Sequence, residues 1–453
     1  MNYKNSITEL IGNTPLVKLN KINKGLKPSI FAKIESLNPG GSVKDRIGIA
    51  MIEAAEKAGK LSPGGTVIEA TSGNTGIGLA LACSVKGYKS IFVVTDKVSS
   101  EKVNYLRAFG GEVIIVSNAV DPDSPEYYVN VARRISKETP NSFFPYQYSN
   151  PANPEIHYRA TGPEIWEDTD GKVTHFVSSI GTGGTISGAG RYLKEKNPEV
   201  QVIGADPLGS IFKTYKETGK IIKGTPYLVE GIGQDCLPEN VHFKYIDKIY
   251  NVSDRESFAA ARRLTKEEGI FCGGSTGTNV HIALEISKGL SENHVVVFIV
   301  CDTGERYLSK VHNFDWLRNN RMLETEIKIL RDISDAKKMK GNEDIVFVHP
   351  GTSVKEVLKI IQDNGYSNIP VMKDRKPLGC IRENRLMSKL LRKPELLNST
   401  AENVLDECFP ILDAKTDISE VKEFLKDNPA ILVSDFGRIT DIITRYDLIE
   451  YSN

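Results

Sequence analysis

The chain has 453 residues, too many for a single hydrophobic core, so two or three domains are expected. Its 58 basic and 58 acidic side chains cancel, which removes any electrostatic case for nucleic acid or an anionic membrane surface as a partner. The polar start MNYKNSITELIGN lacks the features of a signal peptide, and the longest apolar run, Val295 to Cys301, is too short to cross a bilayer; a cytoplasmic protein is expected. Cysteines at 83, 236, 272, 301, 380 and 408 form no CxxC pair and the histidines no HxxxH pair, so reduced thiols and no metal site are expected.

In chain order, the first informative stretch is PGGSVKDR, residues 39 to 46. Pro39, Gly40 and Gly41 break regular structure, Ser42 can cap, and Ile47, Met51, Ala54 and Ala55 recur at helical spacing. Lys44 therefore falls in a first helical turn, where unpaired N–H groups and the macrodipole disfavour a cation. A solvated surface lysine is the ordinary reading. The alternative is an amine kept neutral for use as a nucleophile.

Strands are predicted at 66–70, 90–95, 112–117, 174–180, 201–206 and 295–302, most of them apolar on both faces, as suits a parallel sheet covered by helices. Amphipathic stretches at 74–87, 98–109, 254–268 and 276–290 lie between them. The alternation predicts an α/β fold, with ligands bound at the carboxyl ends of the strands. After Trp316 the pattern changes: 321–341 is charge-rich and reads as a linking helix. Residues 348–387 then align with 412–449, each reading as strand, helix, strand, strand, helix, so a paired module is expected from about 336 onward.

Three glycine-rich loops follow predicted strands: TSGNTGIG (71–78), GTGGTISG (181–188) and GGSTGTN (273–279). None contains GK[ST], and Ile186 occupies the place of the third glycine of a dinucleotide fingerprint. GTGGT still offers free backbone N–H groups and two threonine hydroxyls at a helix start, a site suited to a phosphate monoester; the alternative is glycines that serve tight turns. TSGNTG adds hydroxyl and amide donors able to hold a carboxylate. A lysine at a helix start, a phosphate cradle and a carboxylate cradle together point to pyridoxal phosphate chemistry on an amino acid. Ser275 could donate to the cofactor's ring nitrogen, or it could cap the following helix.

Six ordered motifs now stand together: GNTPLVKL (12–19), GGSVKDR (40–46), TSGNTGIGLA (71–80), GTGGTISG (181–188), EGIGQD (230–235) and GGSTG (273–277). Over residues 3 to 318 the chain resembles the fold-type II pyridoxal phosphate enzymes of cysteine metabolism, the family of cystathionine β-synthase and O-acetylserine sulfhydrylase. The C-terminal repeats are similar to a tandem CBS (Bateman) module. The resemblance implies a catalytic domain over 1–320 built of two α/β subdomains with mostly parallel sheets. A linker at 321–335 and an α+β module at 336–453 follow, with repeats at about 336–395 and 396–453.

By resemblance, Lys44 bonds the cofactor's aldehyde and later serves as general base and acid, and Asn74 bonds the ring oxygen. Gly181, Thr182, Gly183, Gly184 and Thr185 hold the phosphate, and Ser275 faces the pyridine nitrogen. Thr71, Ser72, Asn74, Thr75 and Gln147 bind the substrate carboxylate. DSPE (123–126), SSEK (99–102) and EGIGQDCLP (230–238) favour the synthase, whereas NPANP (150–154) and TGPEIWEDTDG (161–171) favour the sulfhydrylase. Gln234 departs from the synthase pattern, which has tyrosine there. The start at the catalytic region leads us to expect no haem.

The reaction implied is β-replacement of the serine hydroxyl by the thiol of homocysteine, giving cystathionine, with hydrogen sulfide released when cysteine replaces serine. The alternatives are cysteine synthesis from O-acetylserine and sulfide, and a non-catalytic sensor of adenosyl ligands. In the module, Thr444 and Asp447 of IITRYD fit a ribose-binding T-x-x-D, with S-adenosylmethionine, AMP or ATP as ligand, while the first repeat has Arg382 and Arg385 in those places. A homodimer or larger homo-oligomer is expected.

Overall fold

All six strands read from the sequence are present in the computed structural model, which describes the chain except for residues 2, 72, 122, 324–328, 340–344, 375 and 452–453. The chain divides into two units, Met1–Leu323 and Glu324–Asn453.

Among the described residues the first unit holds two sheets. In the smaller, Glu112–Val116, Lys89–Thr95, Thr66–Ala70 and Ser142–Phe143 lie side by side, all parallel. In the larger, the order is Leu16–Lys18, Ser29–Ile34, Val295–Val300, His175–Ser179, Gln201–Pro207 and Lys248–Val252; only the first pair is antiparallel. Thr66–Ala70 is buried at every residue, Glu69 included, as suits a central parallel strand covered on both faces. Separate apolar clusters fill the helix-covered faces, one built around Phe92, Leu106 and Met51, others around Phe176, Phe212 and Phe298.

Three strands of the larger sheet, Leu16–Lys18, Ser29–Ile34 and Lys248–Val252, have no counterpart in the sequence reading. Leu16–Lys18 is a short, half-exposed edge. Ser29–Ile34 carries Lys33, a charge that breaks its apolar pattern but is fully buried against Glu164 at 2.9 Å and Asp168 at 2.8 Å.

In the second unit the second repeat takes the expected order, opening with strand Ile411–Asp413, whereas the expected opening strand of the first is a single bridge between Val348 and Val371. Helix Val354–Asn364 precedes strands Asn368–Lys373 and Lys376–Arg382 and helix Glu383–Arg392; helix Ile418–Asp427 precedes strands Ala430–Asp435 and Arg438–Thr444 and helix Arg445–Tyr451. The helix Leu330–Met339 spans the end of the expected linker and the start of the expected first repeat. Its Leu330 and Ile333 are buried with Leu412, Val421, Ile431 and Ile443, so it packs into the core of the second repeat. No helix among the described residues is long and apolar enough to cross a membrane.

Candidate active site

Loops leaving the carboxyl ends of Thr66–Ala70, His175–Ser179 and Val295–Val300 converge on one cavity of about 240 Å³ in the first unit. Lys44 opens the helix Lys44–Lys57. The Ser42 hydroxyl accepts from the Lys44 N–H at 3.2 Å, and the Val43 N–H donates to Cys301 O at 2.9 Å, tying the lysine to the end of Val295–Val300. The next helix, Asn74–Lys86, touches it backbone to backbone: a Cβ on Gly48 would lie 2.4 Å from Gly78 C, and one on Gly78 would lie 2.6 Å from Lys44 O. Burial lowers the pKa of the Lys44 amine, against the opposing influence of Cys301 and Asp302.

Of the residues singled out in the sequence, Lys44, Asn74, Thr75 and Gln147 line this cavity, as do Gly181, Thr182, Thr185 and Ser275. The Thr75 hydroxyl donates to Gln147 Oε1 at 2.5 Å. Ser275 is the second residue of the helix Gly274–Ser287, so it does not cap that helix, and its hydroxyl meets the Cys301 thiol. Ser72 lies outside the described residues.

Thr71, Gly183 and Gly184 hold the loops rather than face the cavity. The buried Thr71 hydroxyl accepts from the N–H groups of Gly73 and Gly76 at 3.1 and 3.2 Å. Gly183 has φ +85°, and a Cβ on Gly184 would lie 1.8 Å from Asn153 Oδ1. These two glycines answer a packing demand.

Several contributors escaped the sequence reading. Asn74 Nδ2 donates to Asp302 Oδ2 at 2.7 Å while Arg306 Nη1 donates to Asn74 Oδ1 at 2.6 Å. Asn153 Nδ2 donates to Thr182 Oγ1 at 3.0 Å and to Gln147 O at 2.8 Å. His157 Nε2 lies 3.2 Å from Thr185 Oγ1. Burial, with Arg46 and Lys44 nearby, pushes the His157 pKa well down, so its imidazole is neutral. Lys102 pairs with Glu230 at 2.5 Å, as does Lys310, beside the cavity. Gln234, already singled out in the sequence, lines the cavity as well and hydrogen-bonds the Tyr148 phenol. The signal for Asp302 and Arg306 was their place, in CDTGERY, just beyond a strand's carboxyl end.

The donors suit a phosphorylated pyridine aldehyde. A buried amine of lowered pKa could bond the aldehyde, and a helix N-terminus with the hydroxyls of Thr182 and Thr185 could take the phosphate. Asn74 and Ser275 add neutral polar side chains to the same cavity. In the second unit, Thr444 N–H and Oγ1 both donate to Asp447 Oδ2, at 2.7 and 2.6 Å, and Lys337 Nζ lies 3.4 Å from Oδ1. The carboxylate expected to meet a ribose is thus already bonded, and it is buried.

The family model described as pyridoxal-phosphate dependent enzyme matches residues 7–302, and the CBS domain model matches 334–392. The chain is 37% identical to the cystathionine beta-synthase of Dictyostelium discoideum, over 98% of this chain and 92% of that protein. It is also 37% identical to that of Saccharomyces cerevisiae, over 99% and 98%. Among solved structures, the O-acetylserine dependent cystathionine beta-synthase from Helicobacter pylori matches with TM-score 0.63 and 37% identity, covering 68% of this chain and 99% of that one. With a buried lysine and its glycine loops meeting at one cavity, and with these likenesses over nearly its whole length, the chain belongs to the cystathionine beta-synthase family of pyridoxal-phosphate dependent enzymes.

Proposed function

We propose that the chain condenses L-serine with L-homocysteine to L-cystathionine and water. The observation that carries this is the buried Lys44 amine, its pKa lowered by burial, in one cavity with the Thr75–Gln147 pair and the Thr182–Thr185 loop. When bound, pyridoxal phosphate withdraws electrons from the amino acid's Cα and so acidifies its proton. Thr75 and Gln147, with Ser72, hold the substrate carboxylate; Thr71 contributes by shaping the loop. Gly181, Thr182 and Thr185 hold the phosphate, with Gly183 and Gly184 setting the loop's path, while Asn74 and Ser275 address the ring.

The Lys44 amine takes the Cα proton and passes it to the departing β-hydroxyl, which leaves as water. When the thiol sulfur bonds Cβ, the thiol proton passes to Lys44 and from there to Cα. Acid–base assistance of this kind is worth about 10²- to 10⁴-fold in rate. Cysteine in place of serine would release hydrogen sulfide by the same proton transfers.

The test is an assay of the purified protein with serine and homocysteine, read for cystathionine by mass spectrometry. No product there, with cysteine formed from O-acetylserine and sulfide, would replace this reading by cysteine synthesis. A second reading keeps homocysteine but takes O-acetylserine as donor: the Helicobacter pylori structure is described as O-acetylserine dependent, and Gln234 stands here where the synthase pattern has tyrosine.

The C-terminal unit is read as the sensor of an adenosyl ligand, S-adenosylmethionine, AMP or ATP, at Thr444 and Asp447, which requires Lys337 to give way. Calorimetry that detects none of the three would end that reading. A cytoplasmic homodimer without haem completes the proposal.

A further inference from the structure

Asn74 is held in one of its two amide orientations by groups that cannot exchange roles. A guanidinium only donates, and Arg306 Nη1 lies 2.6 Å from the oxygen, Asn74 Oδ1. On the other side Asp302 Oδ2 accepts from Nδ2 at 2.7 Å, and the same oxygen accepts from the Tyr307 hydroxyl at 2.6 Å. A flipped amide would set N–H against guanidinium and oxygen against carboxylate. The amide nitrogen has two hydrogens and Asp302 uses one, which leaves Asn74 an N–H to offer an acceptor in the cavity.

Arg306 is itself held on several sides. It is buried, its Nη2 donates to the Gly40 carbonyl, and its guanidinium lies 5.3 Å from the centre of the Tyr105 ring. A Cβ on Gly41 would come within 2.8 Å of Nη2, so the second glycine of PGGSVKDR makes room for this arm. One side chain therefore links the turn before Lys44 to the amide that opens the next helix.

We propose that Arg306 is a positioning residue that, with Asp302, fixes Asn74 as an N–H donor to the ring oxygen of bound pyridoxal phosphate. The proposal rests on the cofactor reading above. A hydrogen bond donated to an ionised oxygen favours that ionised form, so the lock should show in the titration of the bound cofactor.

The experiment records the absorbance of the bound cofactor against pH in the full-length holoenzyme, for wild type, Arg306→Gln, Arg306→Lys, Asn74→Ala and the Arg306→Gln/Asn74→Ala double variant. A glutamine can donate or accept and so releases the lock. Arg306→Gln is expected to move the equilibrium between the absorbing forms about three- to tenfold toward the protonated form, the scale of one hydrogen bond. Asn74→Ala should move it at least as far, and the double variant no further than Asn74→Ala alone. Arg306→Lys, with a single nitrogen for two carbonyl oxygens, should fall between wild type and glutamine; it serves alone if Arg306→Gln does not fold.

An unchanged titration in a folded arginine variant, or additive shifts in the double variant, would overturn the proposal. So would an unchanged titration in Asn74→Ala, with cofactor binding by wild type showing that the parent reading survives. Failure of wild type to bind pyridoxal phosphate would instead bring down both.

Discussion

Arg46 closes on both carboxylate oxygens of Glu35, Nε at 2.7 Å from Oε2 and Nη2 at 2.8 Å from Oε1, two residues along the helix from Lys44. Both side chains are buried, and Arg46 also reaches Glu164 at 2.7 Å. The pair belongs to the scaffold of the lysine rather than to its chemistry.

Breaking it should be costly, because the partner left behind is a buried, uncompensated charge. Arg46→Met is expected to destabilise the fold by about 3–5 kcal/mol in urea denaturation. Burial acts to raise the Glu35 pKa, but Arg46, Thr14 and Lys33 outweigh it, and the net direction is down from 4.5. Its contribution to stability is therefore present above pH 4.5 and lost as pH falls through the lowered value. Glu35→Gln should lose that acid-side slope; an unchanged slope would remove Glu35 from its origin.

Lys44→Met should abolish turnover, yet it should make the cofactor-free protein more stable at pH 7. Burial lowers the amine's pKa from 10.5, so between the lowered value and 10.5 the unfolded chain holds a proton that the folded chain lacks. Stability must then rise with pH across that window in wild type. Denaturation midpoints should show the rise in wild type and its loss in Lys44→Met.

Glu69 lies within the strand Thr66–Ala70, and its Oε2 accepts from the Tyr146 N–H at 2.8 Å, one residue before Gln147. Burial pushes its carboxyl up to about 8. A raised value means stability that is complete below 4.5 and is lost as pH rises through about 8. Glu69→Gln keeps an acceptor for Tyr146 and removes the ionisation. Its stability advantage over wild type should widen from pH 5 to pH 9, in urea melts at both values.

Gly184→Ala should weaken cofactor retention, since the new methyl would fall 1.8 Å from Asn153 Oδ1. Relieving that clash displaces the side chain that bonds Thr182. An overpacking cost of about 1–3 kcal/mol is expected in melting, together with a higher dissociation constant for pyridoxal phosphate by equilibrium titration. Retained affinity would show that the loop tolerates movement of Asn153.

Much of this site could be read from the chain because its parts are local. Glycine turns and helix starts are neighbours in sequence, and such local patterns drew attention to Lys44, Asn74, Gly181, Thr182, Thr185 and Ser275, all of which line the cavity. Their partners are not local. Arg306 meets Asn74 across 232 residues and Asn240 meets Gln147 across 93, separations that leave no periodic trace. The same limit hid the strand Ser29–Ile34, whose Lys33 is neutralised by residues more than a hundred positions away. It also hid the allegiance of the helix Leu330–Met339, whose charged face reads as a linker while Leu330 and Ile333 serve the second repeat.

Where the Lys44 helix meets the Asn74 helix, the missing side chains of Gly48 and Gly78 let main chain rest on main chain. The spacing of the two backbones that carry Lys44 and Asn74 is consequently set by direct main-chain contact. A side chain at either glycine would force the two helices apart. The register of the chemistry is kept by two hydrogen atoms.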